Sequence, residues 1–237
     1  MLKILQNIFK REKTNSHCGG ASEGLGLTTD WHCHILPGVD DGVRTMDESL
    51  QILAEYERIG IVEVWFTPHI MEDIPNTTEG LRTRFAELKA LYTGNVTLHL
   101  AAENMLDPLF DQRLAAGDVL PIGENGNHLL VETSYFNPPM DLHGMLERIK
   151  QKGYYPVLAH PERYVYMDEK DYRGLISQGI RLQLNLLSLV GMYGDEARKK
   201  SRWLLKNGYY TLAATDLHRI AMLGKLPPLP PTIPNVL

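Results

Sequence analysis

The stretch Thr29-Asp30-Trp31-His32-Cys33-His34-Ile35 is followed at once by Leu36-Pro37-Gly38-Val39-Asp40-Asp41-Gly42. Side chains alternate across an extended strand, so His32 and His34 share one face and Cys33 takes the other. Two imidazoles pointing the same way at a strand end, with the carboxylates of Asp40 and Asp41 in the turn behind, make half of a metal site. The other half has to come from the ends of other strands.

Downstream, short β-branched or aromatic runs (61–67, 96–101, 128–132, 154–159, 180–184, 209–214) alternate with helical patterns (46–58, 78–92, 108–116, 141–152, 170–178, 195–207). Gly60, Gly94, Gly153, Gly179 and Gly208 each follow a helical pattern where a C′ glycine belongs. With the first strand this gives seven βα-like units, which argue for a parallel sheet. Seven such units without a break in composition predict one α/β barrel rather than two sheets.

Length fits that expectation: 237 residues, 43% hydrophobic and 22% charged. A net charge of -5 gives no electrostatic reason to expect nucleic acid as a partner. No apolar run approaches a membrane span. Two cysteines, Cys18 and Cys33, exclude a disulfide framework and fit a reducing, cytoplasmic setting.

Residues 1–14 place Leu2, Leu5, Ile8 and Phe9 at helical spacing among Lys3, Lys10, Arg11 and Lys13. Such a basic amphipathic segment suits a short helix on the protein's own surface, or peripheral contact with a membrane or partner. Residues 15–28 read as a flexible linker, residues 29–220 as the barrel, and residues 221–237 as a proline-rich tail, polyproline II or disordered.

In a parallel barrel the chemistry sits at the C-terminal strand ends. The first strand ends in His32 and His34, with Asp40 and Asp41 in its loop. His69, Glu103 and Glu132 end the next three. The fifth delivers His160 and then Arg163, the seventh Asp216 and His218, and only the sixth, Arg181–Asn185, lacks a His or carboxylate. One such residue is usually incidental; six strands of seven ending this way are not. His99 and His128 lie nearer the bottom of their strands and are structural candidates. Five imidazoles and four carboxylates in one mouth call for cations. Without thiolate, these donors suit Mn, Fe or Zn, and their number suits two or three ions. Arg163 adds a planar donor fork for phosphate, unless it merely pairs with Glu162 or another acid.

His32-Cys33-His34, Asp40-Asp41-Gly42, Thr67-Pro68-His69, Glu103, Glu132, Ala159-His160-Pro161-Glu162-Arg163 and Thr215-Asp216-Leu217-His218 resemble the PHP (polymerase and histidinol phosphatase) superfamily. Within it, the likeness is to bacterial tyrosine-protein phosphatases of capsule and exopolysaccharide loci. That resemblance, over residues 29–220, implies a distorted (βα)7 TIM-like barrel with a trinuclear metal centre. It implies one ion on His32, His34, Glu103 and Asp216. A second would sit on Glu103, Glu132 and His160, and a third on Asp41, His69 and His218. Arg163 matches the family's phosphate-binding arginine. A second arginine, usual beyond the last histidine, is missing, leaving Arg219 and Lys225 as the basic residues available there.

The activity expected is hydrolysis of protein phosphotyrosine by a metal-activated hydroxide, with the tyrosine kinase of polysaccharide export as partner substrate. Asp40 is a candidate acid for the leaving oxygen. Tyr135 and Phe136 could wall the phosphotyrosine ring. No phosphocysteine is expected, because the Cys-x5-Arg pattern is absent. The alternatives are a phosphatase of a small ester such as histidinol phosphate, a phosphodiesterase, and a non-enzymatic phosphoprotein-binding scaffold.

Overall fold

A computed structural model describes residues 25–237. The basic segment 1–14 and linker residues 15–24 lie outside the described residues. Among the described residues six α-helices form: α1 (Met46–Ile59), α2 (Thr78–Leu91), α3 (Pro108–Ala116), α4 (Leu142–Gln151), α5 (Glu169–Ser177) and α6 (Asp195–Lys206). Each lies within a residue of its expected bounds. Their ends follow local chemistry. Thr45 caps α1 by accepting the Glu48 N–H, and Gly60, in the left-handed region, stops it. Gly94 is not the stop expected for α2: the helix ends at Leu91, and Tyr92 is already extended. A side chain at Gly94 would collide with the Tyr92 hydroxyl.

The strands fall into two parallel sheets. One has the order β1 (Thr29–Cys33), β2 (Glu63–Phe66), β4 (Thr97–Leu100). The other runs β3 (His69–Ile70), β5 (Glu103–Met105), β6 (His128–Glu132), β7 (Tyr155–Ala159), β8 (Arg181–Asn185), β9 (Tyr210–Ala214). β2 and β3 are one strand interrupted at Thr67-Pro68, where proline has no N–H for the ladder. β4 and β5 are likewise one strand broken at Ala101-Ala102. The nine segments therefore trace the seven expected strands in sequential order. β9 returns to β1 only at the top, where the Asp216 N–H donates to the His32 carbonyl (2.8 Å) and the His34 N–H to the Leu217 carbonyl (2.9 Å). The barrel is distorted at the interruptions and at this seam.

Two cores result. Inside, Trp31 stacks on Trp65 (centroids 5.8 Å) above Leu130, Val157 and Leu212. Outside, Leu53, Tyr56, Leu88 and Leu146 of the helices pack on the sheet. β1 gains a residue against β2 between Asp30 and Cys33. This bulge lets Trp31 face the interior while His32 and His34 still reach the mouth. Asp30 turns outward to the Tyr56 and Thr215 hydroxyls, each at 2.7 Å. His99 pairs with Glu63 at 3.0 Å and stacks on Trp65, and His128 packs against the tilted ring of Tyr155; both lie away from the mouth.

The tail is not loose, and the last linker residues are not free. Leu27 and Ile233 are buried, and the Leu229 N–H donates to the Leu25 carbonyl at 2.8 Å. Asn235 accepts the Ala213 N–H of β9 (2.9 Å) and donates to the Thr29 carbonyl of β1 (3.2 Å), while its own carbonyl accepts from Trp31 Nε1 (3.1 Å). It thus stitches the bottom of the seam whose top is closed at His34. We expect Asn235→Ala to lose two side-chain hydrogen bonds and about 1–3 kcal/mol of stability with turnover kept. Urea denaturation beside an activity assay checks this. No helix of the described residues is long and apolar enough to cross a membrane.

Candidate metal centre

The strand tips bring all nine expected ligands into one mouth. Glu103 is the hub. Its Oε2 lies 3.2 Å from each of His32 Nε2, His34 Nε2 and His69 Nδ1, and its Oε1 lies 2.9 Å from His160 Nε2. Asp216 Oδ1 is 3.4 Å from His32 Nε2 and 3.3 Å from His34 Nε2. Glu132 Oε1 is 2.8 Å from His69 Nδ1. At the outer edge, Asp41 Oδ1 is 3.6 Å from His69 Nε2 and 3.4 Å from His218 Nε2.

These atoms suit ions better than one another. His32 Nε2 and His34 Nε2 face each other at 2.9 Å, and Glu103 Oε2 lies 3.2 Å from both. His69 Nδ1 and Glu132 Oε1 are close but misaligned for a hydrogen bond, and both remain unpartnered and buried, as does Asp216 Oδ1. Burying such atoms unmet is costly, so lone pairs converging on shared points fit a metal cluster. Four compact groups arise: His34/Asp41/His69/His218, His32/His34/Asp216, His32/Glu103/His160 and His69/Glu103/Glu132. This grouping differs from the implied one: His34 also belongs with the outer group, His32 also joins Glu103 and His160, and Glu132 meets His69 and Glu103 rather than His160.

The electrostatics run the same way. Burial alone would raise the Glu103 pKa, but His32, His69 and His160 hold it well below the carboxylate range. Burial would likewise lower the His32 pKa, yet Glu103 and Asp216 push it to about 9. The carboxylates demand positive charge, so protons compete with cations for the site.

Backbone strain aims two of the ligands. His160 (φ 32°) and Asp216 (φ 50°) are non-glycine residues in the left-handed region, at the ends of β7 and β9. Around them lie residues that orient ligands. Asp40, the expected candidate acid, is one of them. Its Oδ2 takes His34 Nδ1 (2.8 Å) and the His69 N–H (3.2 Å), and its Oδ1 takes the Gly42 N–H (3.0 Å). With every oxygen occupied, it fixes the His34 ring. Cys33 points away, fully buried, toward the Trp65 carbonyl.

Arg163 does not pair with Glu162, which is buried beneath the Tyr210 hydroxyl (2.9 Å) and the Asn185 N–H (3.0 Å). Instead Arg163 Nη1 donates to Asp216 Oδ2 (2.9 Å), and its guanidinium lies between the rings of Tyr135 (4.3 Å) and Tyr193 (4.1 Å). Tyr135 therefore braces the arginine, while Phe136 points into solvent. Arg219 is exposed and forms no ion pair among the described residues, so no partner places it in the site.

The sixth strand contributes after all. Gln183 Oε1 meets His32 Nδ1 (2.9 Å), and Asn185 Nδ2 donates to Asp216 Oδ2 (2.8 Å). Alternation of Gln183 and Asn185 with Leu182 and Leu184 was the available signal; Tyr193, deep in the following loop, had none.

A parallel α/β barrel with His, Asp and Glu side chains gathered at its C-terminal mouth places the chain among the TIM-like barrels. More narrowly, the profile described as capsular polysaccharide synthesis, CpsB/CapC, matches residues 28–228, and the chain belongs to that family. It is 28% identical over 197 residues to the tyrosine-protein phosphatase YwqE of Bacillus subtilis, covering 81% of this chain and 77% of the relative. It is 27% identical over 210 residues to the tyrosine-protein phosphatase CpsB of Streptococcus agalactiae, covering 81% and 83%. A chain from the crystal structures of YwqE from Bacillus subtilis and CpsB from Streptococcus pneumoniae, unique metal-dependent tyrosine phosphatases, superposes with a TM-score of 0.73. That match is 27% identical and covers 82% of this chain and 81% of the other. The lactonase Lmo2620 from Listeria monocytogenes, 14% identical with a TM-score of 0.53, shares the fold.

Proposed function

We propose that this chain is a metal-dependent protein-tyrosine phosphatase acting in capsular or exopolysaccharide synthesis. The observation that carries the proposal is the convergence of nine ligands beside a braced arginine, in a chain whose relatives are tyrosine phosphatases. His32, His34, Asp41, His69, Glu103, Glu132, His160, Asp216 and His218 would hold two or three divalent ions, Mn or Fe, with Zn as the alternative. When bound, the ions supply Lewis acidity toward phosphoryl oxygens and lower the pKa of water.

The chain's own residues do the rest. Arg163 presents its guanidinium to the phosphoryl group, and Asp216 with the two tyrosine rings fixes its direction. Asp40, Gln183 and Asn185 hold His34, His32 and Asp216 in place. A phenolate leaves readily, its parent pKa being about 10, so no protein acid is needed for it. The substrate class is a phosphotyrosyl protein; the kinase of polysaccharide export is the partner we propose. Its cytoplasmic setting suits the unpaired, buried Cys33. Peripheral membrane contact through residues 1–14 is part of the same proposal.

Metal-loaded protein should turn over a phosphotyrosyl peptide faster than histidinol phosphate, and chelation should abolish the activity. Cys33→Ser should keep full turnover, because the thiol faces the helix-side core. Loss of activity in a folded, metal-loaded serine variant would sink the metal mechanism in favour of a thiolate.

A further inference from the structure

Two loops that build the catalytic mouth also build a groove beside it. The loop after β6 runs from Thr133 to Asp141, and the loop after β7 from His160 to Asp168. Toward the mouth they contribute Tyr135, His160 and Arg163, with the Tyr135 ring over the arginine. They are joined by the Val165 N–H donating to the Tyr135 carbonyl (2.8 Å) and by Thr133 Oγ1 against the Tyr166 hydroxyl (2.6 Å). Away from the mouth, the same loops line a groove of about 330 Å³ with Pro138, Pro139, Met140, Tyr166 and Met167. That volume is in the range of small ligand sites, roughly 300–1,000 Å³.

Its wall is open and mainly apolar, with His143 and Asp171 as its charged and polar members. Met140 is 107% exposed and Phe136, four residues earlier, 71% exposed. Exposed apolar side chains grouped at one place on a soluble surface mark contact sites. Proline at two successive positions limits the loop's freedom, so the groove needs little ordering when filled. A polypeptide with its phosphotyrosine beside Arg163 must pass over one rim of the mouth. The Thr133–Tyr166 and Val165–Tyr135 contacts make this groove continuous with that rim.

We propose that this groove seats an apolar side chain flanking the phosphotyrosine, and so makes the enzyme read a polypeptide rather than an isolated aryl phosphate. This rests on the tyrosine-phosphatase reading above. Met140 carries the discrimination, as a flexible, polarizable side chain that adapts to varied apolar partners. It lies outside the catalytic machinery.

The test compares metal-loaded parent protein with Met140→Asp and Met140→Leu on three substrates: a phosphotyrosyl peptide with leucine flanks, the same peptide with serine flanks, and p-nitrophenyl phosphate. For Met140→Asp we expect KM for the leucine-flanked peptide to rise about tenfold, the scale of a lost apolar contact, with kcat retained. Met140→Leu should restore it, and the parent should prefer leucine flanks over serine. Turnover of p-nitrophenyl phosphate should be unchanged throughout. An unchanged KM for the leucine-flanked peptide overturns the groove, with the phosphatase reading intact. Equal losses on all three substrates also overturn it, because the loop would then act by shaping the mouth. A parent dimer that dissociates on Met140→Asp assigns the groove to a second copy and overturns it too. Absence of turnover on every substrate by the parent removes the phosphatase reading itself, and the groove proposal with it.

Discussion

Glu103→Gln is expected to strip metal from the protein and to lower kcat/KM on a phosphotyrosyl peptide more than any other single change. The residue is fully buried at the restart of its strand, and four imidazoles lie within 3.2 Å of its oxygens. Glutamine keeps the shape and loses the charge, so the carboxylate that touches all four rings is gone, and Asp40, Asp41, Glu132 and Asp216 each oppose only part of the set. Removing one partner from a buried charged set costs roughly 3–5 kcal/mol, equivalent to about 10²–10⁴ in metal affinity. Since Glu103 belongs to two of the four compact ligand groups, the loss touches more than one ion. Elemental analysis of the purified variant, beside its circular dichroism and peptide turnover, checks this. Parental metal content with parental turnover would remove Glu103 from the centre.

What could be seen in the chain beforehand follows from where the information is stored. A candidate metal ligand at a strand tip is local: His69, Glu103 and Asp216 each close a largely apolar run, His32 and His34 stand two residues apart, and the barrel rule gathers the ends. The helices were legible for the same reason, because the Thr45 cap and the Gly60 stop act within one turn. The hold of Asp40 on His34 was not legible, because it depends on contacts with the His34 ring and the His69 backbone made by a turn whose shape is not written in composition. Tyr193 escaped notice because its partner, Arg163, is thirty residues away on another loop. The tail was misread through its prolines. Polyproline geometry left open whether the segment docks, and that is decided by Ile233, Asn235 and the seam between β1 and β9.

Arg163→Lys separates phosphate binding from metal binding, which Glu103→Gln cannot do. Lysine keeps one positive charge near Asp216, so the carboxylate remains opposed, with His32, His34 and His218 also holding its pKa low against burial. Metal content should therefore match the parent. What lysine loses is the planar fork and the stacking: an ammonium cannot bridge Asp216 and a phosphoryl oxygen while packed on two tyrosine rings as a guanidinium does. Donors aimed at developing phosphoryl charge are worth about 10²–10³ in rate, so kcat/KM should fall by that order. Inhibition by inorganic phosphate should weaken in parallel, because the same fork binds product. Arg163→Ala should be worse on both counts, and Arg219 has no partner that would place it as a substitute. A lysine variant with unchanged phosphate inhibition and lowered metal content would reassign Arg163 from substrate to the support of Asp216. Steady-state kinetics and elemental analysis on one preparation distinguish the two, since only the substrate role leaves every ligand occupied while turnover is lost.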